Sequence, residues 1–283
     1  MSNYLDYDEL YDNRDELFQD RKGRRKPKGK RALTAKTQDS EETFKDASLE
    51  YLYANAFINE LLGEIKSGKE ATVYLAKGPN GLMAAKVYRD IAARSFKKDA
   101  TYKLGRYLSH SRRKRISHIS AKLGLELDLA LWVQHEYDQL WQLYEAGLPV
   151  PKPMLGPQVS ELALAGRVVL MEYLGDEQTG VSPRLAEAVL TQEELEAAFE
   201  DSVRLLQALF KLGKVHGDYS AFNLLWHQQK IILIDLPQMV NIEENSEALK
   251  LLEQDTRSLC ASFKSMGLEH NPEDIFKLVI GQT

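Results

Sequence analysis

The sequence predicts an α+β protein of two lobes: a strand-rich first lobe holding one helix, an extended connection, and a reduced helical second lobe. Three observations lead there. Two apolar runs, residues 71–76 and 82–88, flank Gly78-Pro79-Asn80-Gly81, and Asn-Gly between apolar runs is a strong hairpin signal. A helical pattern over about 127–146 stops at Gly147, where Pro149, Pro151 and Pro153 bar continuation. After Tyr173-Leu174-Gly175 the apolar spacing turns helical again, interrupted by one loop and one short strand. These signals place the lobes at residues 46–172 and 173–283, behind an extension of residues 1–45.

The extension opens with an acidic, tyrosine-containing stretch of helical potential, residues 4–20. A basic run follows from Arg21 through Arg24, Arg25, Lys26, Lys28, Lys30 and Arg31 to Lys36, broken by Gly23, Pro27 and Gly29. Glycine and proline among repelling charges do not fold by themselves, so residues 1–45 are expected to be disordered or loosely attached. The run suits contact with RNA, ribosomal material or another polyanion through counterion release, and equally a solubilising tail. No aromatic residue interleaves it, so base stacking is unsupported.

From about Ile58 the pattern turns to β. A second basic stretch within a flexible insertion at about 90–122 includes Lys97, Lys98, Arg106, Arg112, Arg113, Lys114 and Arg115. Beyond the helix, strands are expected near 158–163 and 167–172, turning at Ala165-Gly166. Thr191 with Glu194 forms a capping box for a helix through Phe199, Val203, Leu206 and Phe210. Helices near 246–266 and 272–280 complete the second lobe.

Net charge is −5 over 283 residues, with 43% hydrophobic and 28% charged residues, ordinary values for a globular protein with ample core. No apolar run approaches bilayer length, and the first twenty or so residues are too acidic and polar for a signal peptide. The lone Cys260 excludes an internal disulfide and, lying in an apolar helical pattern, reads as a buried inert thiol. A cytoplasmic location is expected. No Cys/His cluster has zinc-site spacing.

The chemistry concentrates in Val215-His216-Gly217-Asp218-Tyr219-Ser220-Ala221-Phe222-Asn223, followed by Ile231-Ile232-Leu233-Ile234-Asp235. An Asp and an Asn five positions apart in a loop, then an Asp at the end of an apolar strand, are the layout of a phosphoryl-transfer site. Asp218 would orient the attacking hydroxyl, and Asn223 and Asp235 would hold magnesium, which needs few protein oxygens because it keeps several waters. Either half alone reads better as a plain loop, or as a buried strand that ends in a capping Asp; the two in this order and spacing point to the site. His216 suits a structural role better than that of a base, and His227 falls in a turn at 226–229.

Lys86 stands in an otherwise apolar strand, and an unpaired buried ammonium is costly. The helix offers a partner: Leu129, Trp132, Val133, Leu140 and Leu143 mark its inward face, and Glu136 falls on the same face. A Lys86–Glu136 pair would aim the ammonium at the α- and β-phosphates of a nucleotide. The alternative is a lysine that snorkels to solvent. Ser67-Gly68-Lys69-Glu70, between the first two strands, lies where a phosphate-covering loop belongs. There Gly68 permits close approach or a positive φ, and N–H groups, the Ser67 hydroxyl and Lys69 can meet phosphate. At the connection, Glu172 and Leu174 can present backbone groups to adenine, with Met171 and Leu174 as apolar cover.

Taken together, Ser67-Gly68-Lys69-Glu70-Ala71-Thr72-Val73-Tyr74, Lys86, Glu136, His216-Gly217-Asp218 with Asn223, and Ile234-Asp235 resemble the RIO family of atypical serine/threonine protein kinases over about residues 50–283. Residues 147–153 and the basic insertion also look like the family. The resemblance implies a bilobal protein-kinase-like fold using ATP and Mg2+, with Mn2+ as an alternative ion, in which Asp218 is the catalytic base and Asn223 and Asp235 are metal ligands. For some members it implies an ATPase whose metal-loop Asp, here Asp235, is transiently phosphorylated. It also implies a protein acceptor or self-phosphorylation and a tie to small-subunit ribosome maturation; with no apolar run of bilayer length, no membrane partner is expected.

Asp235-Leu236-Pro237 departs from the Asp-Phe-Gly of ordinary protein kinases, and fewer than fifty residues follow it, too few for the usual peptide-docking helices. Two other functions stay open at this point. One is a small-molecule phosphotransferase of the aminoglycoside or choline type, which shares His-Gly-Asp with a following Asn. The other is a nucleotide-gated module docking on RNA or ribosomes.

Overall fold

The computed structural model of the chain describes residues 34–36, 42–44, 46–89, 121–156, 165–176 and 180–281. Most of the extension, most of the basic insertion and the strand expected near 158–163 lie outside these residues. Within the extension, β1 (Thr34–Lys36) and β2 (Glu42–Phe44) pair as a short antiparallel ribbon.

A four-stranded antiparallel sheet forms the first lobe, in the order β3 (Glu60–Ser67), β4 (Ala71–Gly78), β5 (Gly81–Tyr88), β6 (Val168–Glu172). The β5–β6 side carries the apolar load: Met83, Ala84, Ala85, Val87 and Tyr88 of β5 and Val168, Val169 and Leu170 of β6 are buried. The β4–β5 hairpin forms where expected, but Gly78 pairs with Gly81, so Pro79 and Asn80 are the turn residues. Gly81 supplies the left-handed backbone at φ 112°.

Among the described residues the first lobe holds two helices rather than the one expected. The additional α1 (Ala47–Ala54) is capped by Asp46, whose carboxylate accepts from the N–H groups of Ser48 (3.0 Å) and Leu49 (3.2 Å), and it buries Leu49 and Leu52. The second, α2 (Ala121–Glu145), begins six residues before its expected start. Leu129, Trp132, Val133, Tyr137, Leu140 and Leu143 are its buried face. Tyr137 fastens it to β6 by donating to the Leu170 carbonyl (3.3 Å) and accepting from the Leu170 N–H.

The connection is not followed directly by a helix. A ribbon of β7 (Gly175–Asp176) and β8 (Gly180–Val181) comes first, then a single 3-10 turn at Leu185–Glu187. The helix α3 (Gln192–Lys211) starts at a complete capping box. Thr191 Oγ1 accepts from Glu194 N–H (3.2 Å), and Glu194 Oε2 accepts from Thr191 N–H (2.9 Å). Next come β9 (Lys214–Val215), the hairpin β10 (Leu224–His227) and β11 (Lys230–Leu233), and β12 (Val240–Asn241), which pairs back onto β9. The closing helices are α4 (Ala248–Ser265) and α5 (Pro272–Ile280). Phe199 of α3 meets Phe263 of α4 edge-to-face at 5.0 Å between centroids. Cys260 is buried there, and burial pushes its thiol up to about 11, which suits an inert core residue. Among the described residues no helix is long and apolar enough to cross a membrane.

Candidate active site

Lys86 lies at the meeting point of the lobes. Its Nζ donates to Glu136 Oε1 of α2 at 2.5 Å and to Asp235 Oδ1 of the second lobe at 2.7 Å. Glu136 keeps only 2% of its side-chain surface and is further held by Tyr88, whose hydroxyl donates to Oε2 at 2.5 Å. Burial works against the Lys86 charge, but Asp235 and Glu136 overcome it and hold the ammonium well above its ordinary range. Burial would raise the Asp235 carboxyl; the Lys86 charge outweighs that and holds it below the usual carboxylate range. Lys86 does not snorkel. Both lobes contribute to the triad.

Asp235 is not at the end of a strand. It follows β11 by two residues and takes φ 66°, a left-handed backbone that Asp tolerates better than most side chains and that recurs at functional sites. The β10–β11 hairpin explains how it meets Asn223. Leu224 pairs with Leu233 at the hairpin base, and just beyond, Ile234 N–H donates to the Asn223 carbonyl at 3.0 Å. Asn223 and Asp235 therefore flank one end of one hairpin. The strand β10 was unforeseen: a turn was expected over 226–229, whereas the turn is Gln228-Gln229 alone, both left-handed (φ 49° and 60°) without any glycine. His227 consequently sits in β10, half-buried, with Nδ1 2.7 Å from Ser182 Oγ, rather than in a turn.

Asn223 Nδ2 donates to the Asp218 carbonyl (2.8 Å) and to Asp218 Oδ2 (3.0 Å), so the amide orients the carboxylate and is left with its Oδ1 as acceptor. His216 is fully buried, and its Nδ1 accepts from Asp218 N–H at 3.3 Å. Burial lowers its pKa to about 4, so it is neutral and structural near pH 7.

The loop between β3 and β4 is a tight turn: Gly68 N–H donates to the Ala71 carbonyl at 2.8 Å, and Gly68 keeps a negative φ. A Cβ on Gly68 would lie 3.1 Å from that oxygen, so close approach is the reason for glycine. Gly68 N–H is committed, but the Ser67 hydroxyl and the exposed Lys69 side chain remain as donors at the tip. Arg89 staples the loop, donating through Nη2 to Ser67 Oγ and to Thr72 Oγ1 (2.7 Å). Across the mouth of the cleft, Lys66 Nζ meets Glu187 Oε1 at 2.9 Å. At the connection, Glu172 N–H bonds the Lys152 carbonyl (2.8 Å), and the Leu174 carbonyl accepts from Ser182 (2.8 Å). The Leu174 N–H has no backbone acceptor among the described residues.

One residue of the site was not anticipated. Asp255, on the buried face of α4 with Leu251, Leu252 and Leu259, accepts from Gly217 N–H (2.8 Å) and Tyr219 N–H (2.9 Å), and so grips the backbone on both sides of Asp218. Burial pushes its carboxyl up to about 7 against the pull of those donors. Its signal was the same as that of Glu136: an acid on an apolar helical stripe.

A family model for the RIO domain matches residues 72–275. The chain belongs to the RIO family. The matched span contains Lys86, Glu136, Asp218, Asn223 and Asp235 and begins just after the Ser67–Lys69 turn. The chain is 33% identical over 207 residues to the serine/threonine-protein kinase RIO1 of Caenorhabditis elegans, covering 73% of this chain and 37% of that protein. It is 28% identical over 274 residues to the RIO-type serine/threonine-protein kinase Rio1 of Haloferax volcanii, covering 93% and 86%. The chain thus spans about two fifths of the worm and fission-yeast relatives, at 37% and 40%, and most of the haloarchaeal one. Among solved structures, the Rio2 kinase–ADP/Mg2+–phosphoaspartate complex from Chaetomium thermophilum superposes with a TM-score of 0.59 at 20% identity, covering 89% of this chain and 72% of that one. That likeness carries the bilobal kinase fold.

Proposed function

We propose that this RIO chain is an ATP-dependent serine/threonine protein kinase with ATPase capability, acting on the γ-phosphoryl group of Mg-ATP. The observation that carries the proposal is Lys86, one ammonium held between Glu136 of the first lobe and Asp235 of the second. Fixed there, it is aimed at phosphates rather than at solvent. The nucleotide and ion bound by the Chaetomium Rio2 neighbour support the same ligands here.

The residues fit a magnesium ion. Lys86 occupies only Oδ1 of Asp235, whose side chain keeps 44% of its surface, and Asn223 has its amide hydrogens turned away toward Asp218. One carboxylate and one carbonyl are the hard oxygen donors that magnesium takes alongside phosphate and water. When bound, the ion would neutralise charge on the phosphates. Ser67 and Lys69 would cover those phosphates, and Leu174 N–H would receive the adenine edge. Asp218 would take the proton of the acceptor hydroxyl as its oxygen bonds to the γ-phosphorus and ADP departs. In the ATPase mode, a carboxylate oxygen of Asp235 would make that bond instead, and water would then hydrolyse the acyl phosphate.

The basic segments of the extension and the insertion supply charge for a polyanionic partner such as RNA, and a cytoplasmic setting suits the lone reduced thiol. The test is incubation with γ-labelled ATP and Mg2+. Label on Ser/Thr supports the kinase activity, and a hydroxylamine-labile acyl phosphate or free phosphate supports the ATPase mode. Label on a small molecule, or none at all, would sink the proposal.

A further inference from the structure

Another lysine, in the second lobe, also meets α2. Lys214 of β9 is 6% exposed, yet its hydrogen-bond acceptors are neutral: Gln139 Oε1 of α2 at 2.7 Å and Asn241 Oδ1 of β12 at 3.1 Å. Asp138 and Glu244 act on it only through space. Burying an ammonium against neutral amides costs stability, and a well-packed apolar side chain would cost less. Such a group invites a reason other than stability.

The fold supplies one. Gln139 and His135 are one helical turn apart, on the face of α2 turned to the second lobe. His135 Nε2 lies 2.9 Å from the Met239 carbonyl, one residue before β12, so the helix is tied to the β9–β12 ribbon at two points. That ribbon also bears the chemistry: Asp218 comes four residues after Lys214, and Asp235 four before Met239. Glu136 sits three residues from Gln139 on the same helix. A pull on Gln139 therefore sets the rotation of α2 about its axis, and with it the Glu136 carboxylate that holds Lys86. Sub-ångström placement of a phosphate-gripping charge is worth large factors in rate.

We propose that Lys214 is a positioning residue of the phosphoryl-transfer site, fixing Glu136 and hence Lys86 from the second lobe through its hydrogen bond to Gln139. The inference rests on the phosphotransfer function proposed above. It makes the catalytic register of α2 a property of the folded chain, set without any segment that must first be modified.

The test compares Lys214→Met, Glu136→Gln and the double variant in the full chain, by titration with Mg-ATP and by thermal unfolding. Lys214→Met is expected to weaken Mg-ATP binding about tenfold, as loss of a supporting partner commonly does, while the unfolding midpoint stays level or rises because a desolvated charge is gone. In the Glu136→Gln background the same change is expected to cost less than about twofold, since the two act in series. Affinity that falls equally in both backgrounds, or falls only together with the midpoint, overturns the inference. Unaltered affinity in a wild-type background that binds Mg-ATP overturns it alone. A wild-type chain that binds no Mg-ATP defeats the phosphotransfer proposal and this inference with it.

Discussion

Lys86 and Asp235 are 149 positions apart in the chain and 2.7 Å apart in space. Between them lie the connection, a capped helix and the loop bearing Asp218, so this one contact requires both lobes to be correctly built and closed on each other. Glu136 completes the arrangement from a third direction, and two carboxylates sharing one ammonium tolerate neither its loss nor its displacement.

Lys86→Met is predicted to abolish phosphate release and to destabilise the fold by about 3 kcal/mol, because Glu136 is left buried without its cation. Adding Glu136→Gln should restore most of the stability and none of the activity. Urea unfolding with a phosphate-release assay separates the two effects.

Asp235→Asn is predicted to abolish phosphate release and autophosphorylation while the unfolding midpoint changes little. Asparagine tolerates the left-handed backbone at this position, so lost activity would reflect lost charge rather than strain. Full turnover by this variant would contradict its assignment as metal ligand and acyl-phosphate site.

Asp255→Asn should lower the single-turnover rate while Mg-ATP affinity holds, because it releases the backbone around Asp218 and leaves Lys86 and Asp235 in place. An amide offers one acceptor where the carboxylate offers two, and it sets an N–H against an N–H. A stability loss of about 1–3 kcal/mol should accompany the slower chemistry. An unchanged rate with weakened ATP binding would contradict this division of labour.

Protonation of His216 gives a pH prediction with a defined sign. Its folded pKa, about 4, lies below the unfolded value of roughly 6.5, so between the two the unfolded chain takes up a proton that the folded chain refuses. The contribution to stability is complete above pH 6.5 and is lost as pH falls toward 4. In His216→Asn that loss is absent. The stability gap between wild type and variant should therefore narrow by roughly 3 kcal/mol between pH 7.5 and 4, read from urea midpoints. A gap constant across that range would mean that the imidazole is not buried as a neutral ring.

Parts of this site were legible in the sequence where a residue contradicted its surroundings. Lys86 in an apolar strand and Glu136 on an apolar helical stripe each lacked an explanation until paired. Asp255 broke the pattern in the same way, but its partners are the backbone N–H groups of Gly217 and Tyr219, which no side-chain identity announces. Lys214 escaped notice because its acceptors are uncharged amides, which no charge pattern announces. The strand β10 was missed because the turn read over 226–229 is confined to Gln228-Gln229, two non-glycine residues that nonetheless take positive φ. Capping was better behaved: Thr191 and Glu194 bond only to each other's neighbourhood, so spacing alone located the start of α3.

The clasp between Lys66 and Glu187 has a kinetic meaning. Half-exposed and joining β3 to the 3-10 turn, it is predicted to slow the release of spent ADP, whose escape rather than bond-making would then pace repeated cycles. Salt loosens such a clasp, since at 1 M the screening distance is only about 3 Å. Steady-state turnover should quicken with ionic strength while the first turnover does not, and a parallel rise in both would assign the brake elsewhere.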